Sequence, residues 1–153
     1  MIIEPELAAF LQEGLPTHIA TRDDDLKPWG ARVTAVTVED DREHIVVFVP
    51  EIAAGRILAD LASNGQAAIG FVRPADERAC QVKGVFVESR PASEVERTLV
   101  MAQWDRCLTG LEVVGYPRVA TDGWTMWPCV AVRIKVNALY SQTPGPGAGA
   151  PLR

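Results

Sequence analysis

The stretch GARVTAVTVEDDREHIVVFVP, residues 30–50, holds two apolar runs of strand length separated by a short polar turn. GARVTAVTV sets Val33 and Ala35 toward one face and Thr34, Val36 and Val38 toward the other, so this strand is apolar on much of both faces. IVVFVP is unbroken and closes at Pro50, which lacks the N–H that a continuing strand needs. So short a turn as EDDRE joins antiparallel neighbours, and the spacing predicts a hairpin. Residues 52–63 then change to helical period, with Ile57, Leu58 and Leu61 on one stripe, and Asn64 and Gly65 supply the stop. QAAIGFV follows as a further buried strand.

Upstream, Pro5, Leu7, Phe10 and Leu11 read as a short helix ended by Gly14 and Pro16, and THIATRD as a short strand. Downstream, ACQVKGVFVES alternates Cys80, Val82, Gly84 and Phe86 against Gln81, Lys83, Val85 and Val87. Residues 94–109 read as the longest helix, with Val95, Leu99 and Ala102 on one side; Ser93 and Glu96 have capping-box spacing. In CVAVRIKVNALYS, Val130, Val132, Ile134, Val136 and Ala138 face one way and Arg133, Lys135 and Asn137 the other. Strands that do not alternate one by one with helices argue against a doubly wound parallel sheet. The expected fold is α+β: a six-stranded antiparallel split β-barrel with flanking helices. Residues 1–142 would form this domain and 143–153 a Pro/Gly-rich tail lying on the surface or on a partner.

The 153 residues suit one domain. Twenty acidic against fifteen basic residues give a net charge of −5, which disfavours nucleic acid and anionic membranes as partners. No apolar run reaches the roughly 18 residues of a membrane helix, and MIIEPELAAF has no basic start of the kind a signal peptide carries. Three widely spaced cysteines, Cys80, Cys107 and Cys129, point to a reducing, cytoplasmic setting. His18 and His44 have no Cys or carboxylate at ligand spacing, so no metal site is expected. Neither a GxSxG elbow nor a P-loop is present, and GPGAG in the tail lacks the strand-to-helix context of a dinucleotide turn. Cys80, on an apolar face, reads as core rather than nucleophile.

What remains is a set of basic residues at element ends: Arg32 in a strand, Arg56 in the first turn of a helix, and Arg78 with Gln81 and Lys83 along another strand. A cation in a first helical turn opposes the helix dipole, whereas an anion there meets free backbone N–H groups. Gly84 beside Lys83 marks either a bulge or a close approach of a ligand. Trp29, next to a turn, is a candidate for a cleft rim.

Three strings in this order, VVFVP with AAGRILADLASNGQAAIGF, RACQVKGVFVE, and SQTPGPGAGAPL, resemble the pyridoxamine 5′-phosphate oxidase-like, FMN-binding split-barrel family. The resemblance runs from about His18 to the tail. It implies a homodimer with FMN at the subunit interface and a small-molecule substrate. It assigns Arg32, Arg56, Arg78, Gln81 and Lys83 to the flavin phosphate and neighbouring groups, and Val33, Thr34, Val49 and Pro50 to the flavin edge. Thr37 stands where the true oxidases have Lys, Ala54, Gly55 and Arg56 where they have a Ser-Arg-Lys triplet, and Ala79 where they have Gln. These replacements separate the chain from the oxidase itself. The function expected is a flavin-dependent oxidoreductase. The alternatives are a carrier or sensor module for flavin, haem or deazaflavin without turnover, and a dimerisation domain with no ligand.

Overall fold

In a computed structural model, which describes residues 1–152, the elements run α1 (Pro5–Leu11), β1 (Thr17–Arg22), β2 (Pro28–Val33), β3 (Ala35–Val38), β4 (His44–Pro50), α2 (Glu51–Asn64), β5 (Gln66–Arg73), β6 (Arg78–Pro91), α3 (Glu94–Val113) and β7 (Cys129–Ser141). A 3₁₀ turn at Arg118–Thr121 precedes β7. The strands form one sheet in the order β2-β1-β5-β6-β7-β4-β3, every pair antiparallel. β2 and β3 follow one another in sequence yet occupy the two edges, so the sheet must curl back on itself. The result is a half-barrel with three helices, and it has seven strands rather than the six expected.

The seventh strand arises at Thr34. Its N–H donates to the Phe48 carbonyl and its hydroxyl to the Met126 carbonyl, at 2.9 Å each, which pulls the residue out of the strand line. The bend resets the alternation. Val33 and Val36 both enter the main core, while Ala35 joins a second cluster with Phe48, Val100, Cys129 and Ala131. The main core holds Ile19, Ile45, Val47, Ile69, Val82, Ile134 and Val136 from the strands and Ile57 and Leu61 from α2. Fully burying each of these large side chains contributes about 1.5–3 kcal/mol. Gly65 ends α2 at φ +70°, its N–H bonded to the Leu61 carbonyl, as the sequence predicts.

Two glutamines close the free edge of β3. Gln103 of α3 accepts from the Val36 N–H at 3.0 Å and donates to the Val36 carbonyl at 2.8 Å, and Gln12 accepts from the Val38 N–H. An edge strand is thereby paired without a neighbouring strand. The demand of Val36 fixes the rotation of α3 and overturns the expected stripe: Val95 is 90% exposed and Leu99 46%, whereas Val100, Gln103, Trp104 and Cys107 are buried. The capping box at Ser93 and Glu96 is present.

A β-bulge shapes the outer surface. Lys83 pairs with Ala138 but Gly84 pairs with Val136, which leaves Asn137 as the extra residue of β7. A Cβ on Gly84 would collide with the Lys135 carbonyl oxygen and the Ile134 side chain, so this glycine serves the close approach of β7. Beyond the bulge the alternation of β7 flips. Leu139 turns inward in place of the expected Ala138. The tail lies on the surface of its own barrel: the Leu152 N–H donates to the Leu139 carbonyl and its side chain packs on the core, and the Ser141 N–H donates to the Ala150 carbonyl. Arg153, the last residue of that tail, lies outside the described residues.

Candidate cofactor-binding site

Cross-strand register aligns two rows of residues on the outer face of the sheet. One row is Arg32, His18, Gly70, Gln81 and Tyr140; the next is Gly30, Ala20, Ala68, Lys83 and Ala138. Neighbouring strands lie about 4.8 Å apart and like-facing residues of one strand about 6.8 Å apart, so the two rows span a platform about 19 Å long, more than a three-ring heterocycle needs. Ala20, Ala68, Gly70 and Ala138 keep the middle of it low. Longer side chains rise around it.

The depression over these small residues measures about 520 Å³ and is edged by Arg22, Gln66, Lys83 and Asn137. A second recess of about 310 Å³ adds His18, Gly70, Gln81 and Gln142. A third, about 270 Å³, is walled by His18, Arg32, Leu111, Tyr116 and Trp124. Pro16 and His18 line both the second and the third, and the two residue rows set the first beside the second.

Among the described residues, Arg22, Arg32 and Lys83 form no ion pair. The Lys83 ammonium sits 5.2 Å from the Tyr140 ring centre, Arg22 bonds only to the Asp23 carbonyl, and the Arg32 guanidinium lies 3.8 Å from the centre of the Trp124 ring. His18 is exposed on the outer face of β1, and the partial desolvation of its ring, reinforced by the nearby charge of Arg32, lowers its pKa from the usual value. The face thus offers unpaired cations, amides and one imidazole around an apolar floor. That combination suits a flat, polar-edged ring with an anionic group.

Of the residues singled out in the sequence, Arg32, Gln81 and Lys83 share this face. Arg78 does not, because strand alternation turns it to the other side, where it stacks 4.5 Å from the Phe10 ring centre and 3.5 Å from the Glu6 carboxylate. Arg56 is held by two carboxylates of its own chain, Asp23 at 2.7 Å and Asp60 at 2.9 Å. The buried Asp60 also accepts from the Thr21 hydroxyl at 2.8 Å. Those bonds raise the Arg56 pKa, Asp60 contributing most. Val33 and Val49 are core residues, Pro50 is buried at the head of α2, and the Thr34 N–H and hydroxyl are spent on the bend. The five basic and amide residues are therefore not gathered in one place within the chain. Trp29 is half-exposed, 5.9 Å from Arg56.

His18, Arg22, Gln66 and Asn137 join the site without any signal in the sequence reading that marks them as its residues. The signal that could have found the trough is the outward run of small residues, Ala20 on β1 and Ala68 and Gly70 on β5, in strands that turn Ile19, Ile69 and Phe71 inward. Cys80 is core, its thiol pushed up to about 12 by burial.

The expectation that His44 has no carboxylate near it fails. Glu39, Asp41 and His44 bring possible ligand atoms within 4.8 Å of one another, and His44 Nδ1 lies 2.7 Å from Asp41 Oδ2. These oxygens serve the β3–β4 turn: Asp41 accepts from the Glu43 and His44 N–H groups, and both Glu39 oxygens bond Arg133 at 2.8 Å. The Glu43 N–H, then His44, hold the Asp41 carboxyl at about 2. Among the described residues no helix is long and apolar enough to cross a membrane.

No family model matches the chain, and no curated protein sequence does. Solved structures do. An F420 reductase superposes with a TM-score of 0.60 at 14% identity, over 90% of this chain and 98% of its own. A candidate pyridoxamine 5′-phosphate oxidase from Lactobacillus delbrueckii gives 0.57 at 11% identity, over 91% and 93%. An FMN-binding protein from Syntrophomonas wolfei gives 0.54 at 14%, over 89% and 86%. The chain has the pyridoxamine 5′-phosphate oxidase-like split-barrel fold, and at these identities the likeness is one of fold.

Proposed function

We propose that this protein binds FMN in the trough on the outer face of β1, β5, β6 and β7 and acts as a flavin-dependent oxidoreductase on a small molecule. The single observation that carries the reading is the alanine and glycine floor of about 520 Å³ edged by the unpaired cations Lys83 and Arg22. Lys83 and Arg22 would hold the phosphate, and Gln66, Gln81 and Asn137 offer amide donors and acceptors for the ring edge. FMN supplies hydride and electron chemistry when bound; the chain supplies anchoring, orientation and the exclusion of water. The fold it shares with an FMN-binding protein and an F420 reductase supports a flavin-type ligand.

A homodimer completes the proposal. Flavin-sized ligands are ordinarily buried over most of their surface, about 70–90%, and a trough open on one side does not achieve this. Val85 and Val87 continue the row of Gln81 and Lys83 outward on β6, with Val72 on β5, and all three are more than a third exposed. An apolar margin beside an open trough suits a second copy laid over it. Light scattering at micromolar concentration should return twice the chain mass; a monomer mass would contradict this part. The three free, buried thiols fit a cytoplasmic setting.

His18 favours a second reading, haem held without turnover, since its imidazole, in the recesses beside the trough, would hold the iron. Purified protein titrated separately with FMN and with haem, and followed by visible absorbance, decides between them. A saturable flavin spectrum, with the flavin reduced by NADH or NADPH and reoxidised by an acceptor, is the expected result. A saturable Soret band alone would favour the haem reading, and no saturable binding of either would overturn both.

A further inference from the structure

Arg32 stands apart from every other arginine among the described residues. Each of the others makes a hydrogen bond or an ion pair, to a carboxylate or to a main-chain carbonyl. Arg32 makes neither, although it is only partly exposed. One flat side of its guanidinium is occupied by Trp124, 3.8 Å away at the ring centre. Trp124 is itself held by Trp104 and Tyr116, with ring centres 5.9 and 6.4 Å away. Stacking covers the guanidinium's face but satisfies none of its N–H groups, which lie around the edge. A built, aromatic-backed cation with every donor free marks a place for an anion.

The surroundings narrow its chemistry. Apart from Arg32 and His18, the recess of about 270 Å³ is lined by Pro16, Leu111, Tyr116 and Trp124. A dianionic phosphate there would meet one cation, an imidazole and a phenol among largely apolar walls, a costly desolvation for two charges. A carboxylate matches the guanidinium fork with two parallel bonds, and a flat apolar body matches the walls. The volume admits one or two fused rings. We propose that this recess binds a small aromatic carboxylate, its carboxylate on Arg32 and its ring against Trp124 and Tyr116.

His18 lines both this recess and the adjoining one, so the occupant lies beside the trough. Its part as substrate rests on the flavin reading; the binding itself does not. Flavin-free protein titrated calorimetrically with 2-naphthoate, 2-naphthamide and inorganic phosphate tests the site without reference to FMN. The expected result is saturable binding of naphthoate at one site per chain, at least tenfold weaker binding of the amide, and weaker binding still of phosphate. Arg32→Gln should weaken naphthoate at least tenfold while the melting temperature holds. Should that variant fail to fold, the acid-against-amide comparison on the unaltered protein decides alone. No saturable naphthoate binding, equal binding of the amide, phosphate bound as tightly, or an unchanged affinity in a folded Arg32→Gln protein would each overturn the proposal.

Discussion

Arg56 and Lys83 look alike in the sequence, each a cation beside an apolar stretch, but their partners give them different work. Arg56 ties α2 to the β1–β2 turn through Asp60 and Asp23, and Lys83 meets only the Tyr140 ring. Losing the Lys83 ammonium should weaken FMN by about 1.5–3 kcal/mol, the range for a hydrogen bond to a charged group. Lys83→Ala should leave the melting temperature unchanged. Arg56→Ala should do the reverse, because it leaves the buried Asp60 with the Thr21 hydroxyl alone; thermal unfolding should show a lower melting temperature with FMN affinity unchanged. Half of this distinction was legible beforehand. Asp60 lies four residues after Arg56, the spacing of a helical ion pair, and could have been read as its partner. Asp23 is brought in by the tertiary fold, and no local pattern announces it.

At the scale of elements, helices and strands followed from periodicity, and the misses came where a side chain overrode it. Thr34 breaks a continuous apolar run because its hydroxyl and N–H find partners on distant segments, Met126 and Phe48. α3 turns its polar Gln103 inward to satisfy β3, so its apolar Val95 and Leu99 face out. Asn137 inverts the last third of β7, and this inversion places Ala138 in the trough floor. The start of α3, where Ser93 and Glu96 form the capping box that their spacing predicts, carries a pH dependence. Glu96 bonds Arg90 and the Ser93 N–H, and chiefly through Arg90 its carboxyl is held at about 2 against the usual 4.5. A depressed carboxyl pKa means the stabilisation is complete above pH 4.5 and lost as pH falls toward 2. Glu96→Gln keeps a capping-box side chain but not the charge. Its melting temperature should fall less steeply over that interval than that of the unaltered protein, and parallel curves would remove Glu96 from the acid response.

For the molecule as a whole, an acidic chain with a net charge of −5 keeps unpaired cations on one face of its sheet, over a floor of its smallest residues. The fold class was legible because a hairpin, a helix and three long alternating strands come in a fixed order. The site was legible only in part, since Arg32, Gln81 and Lys83 meet their small-residue floor through the pairing of four strands, which periodicity within one strand cannot reveal. Ala68 is the point where this account is most exposed to test, being central to the floor and making no polar contact of its own in the site. FMN affinity, measured by quenching of flavin fluorescence, should fall at least tenfold in Ala68→Phe while the melting temperature stays put, because the added ring fills the trough. Unchanged affinity in a folded Ala68→Phe protein would place the cofactor elsewhere and contradict the assignment.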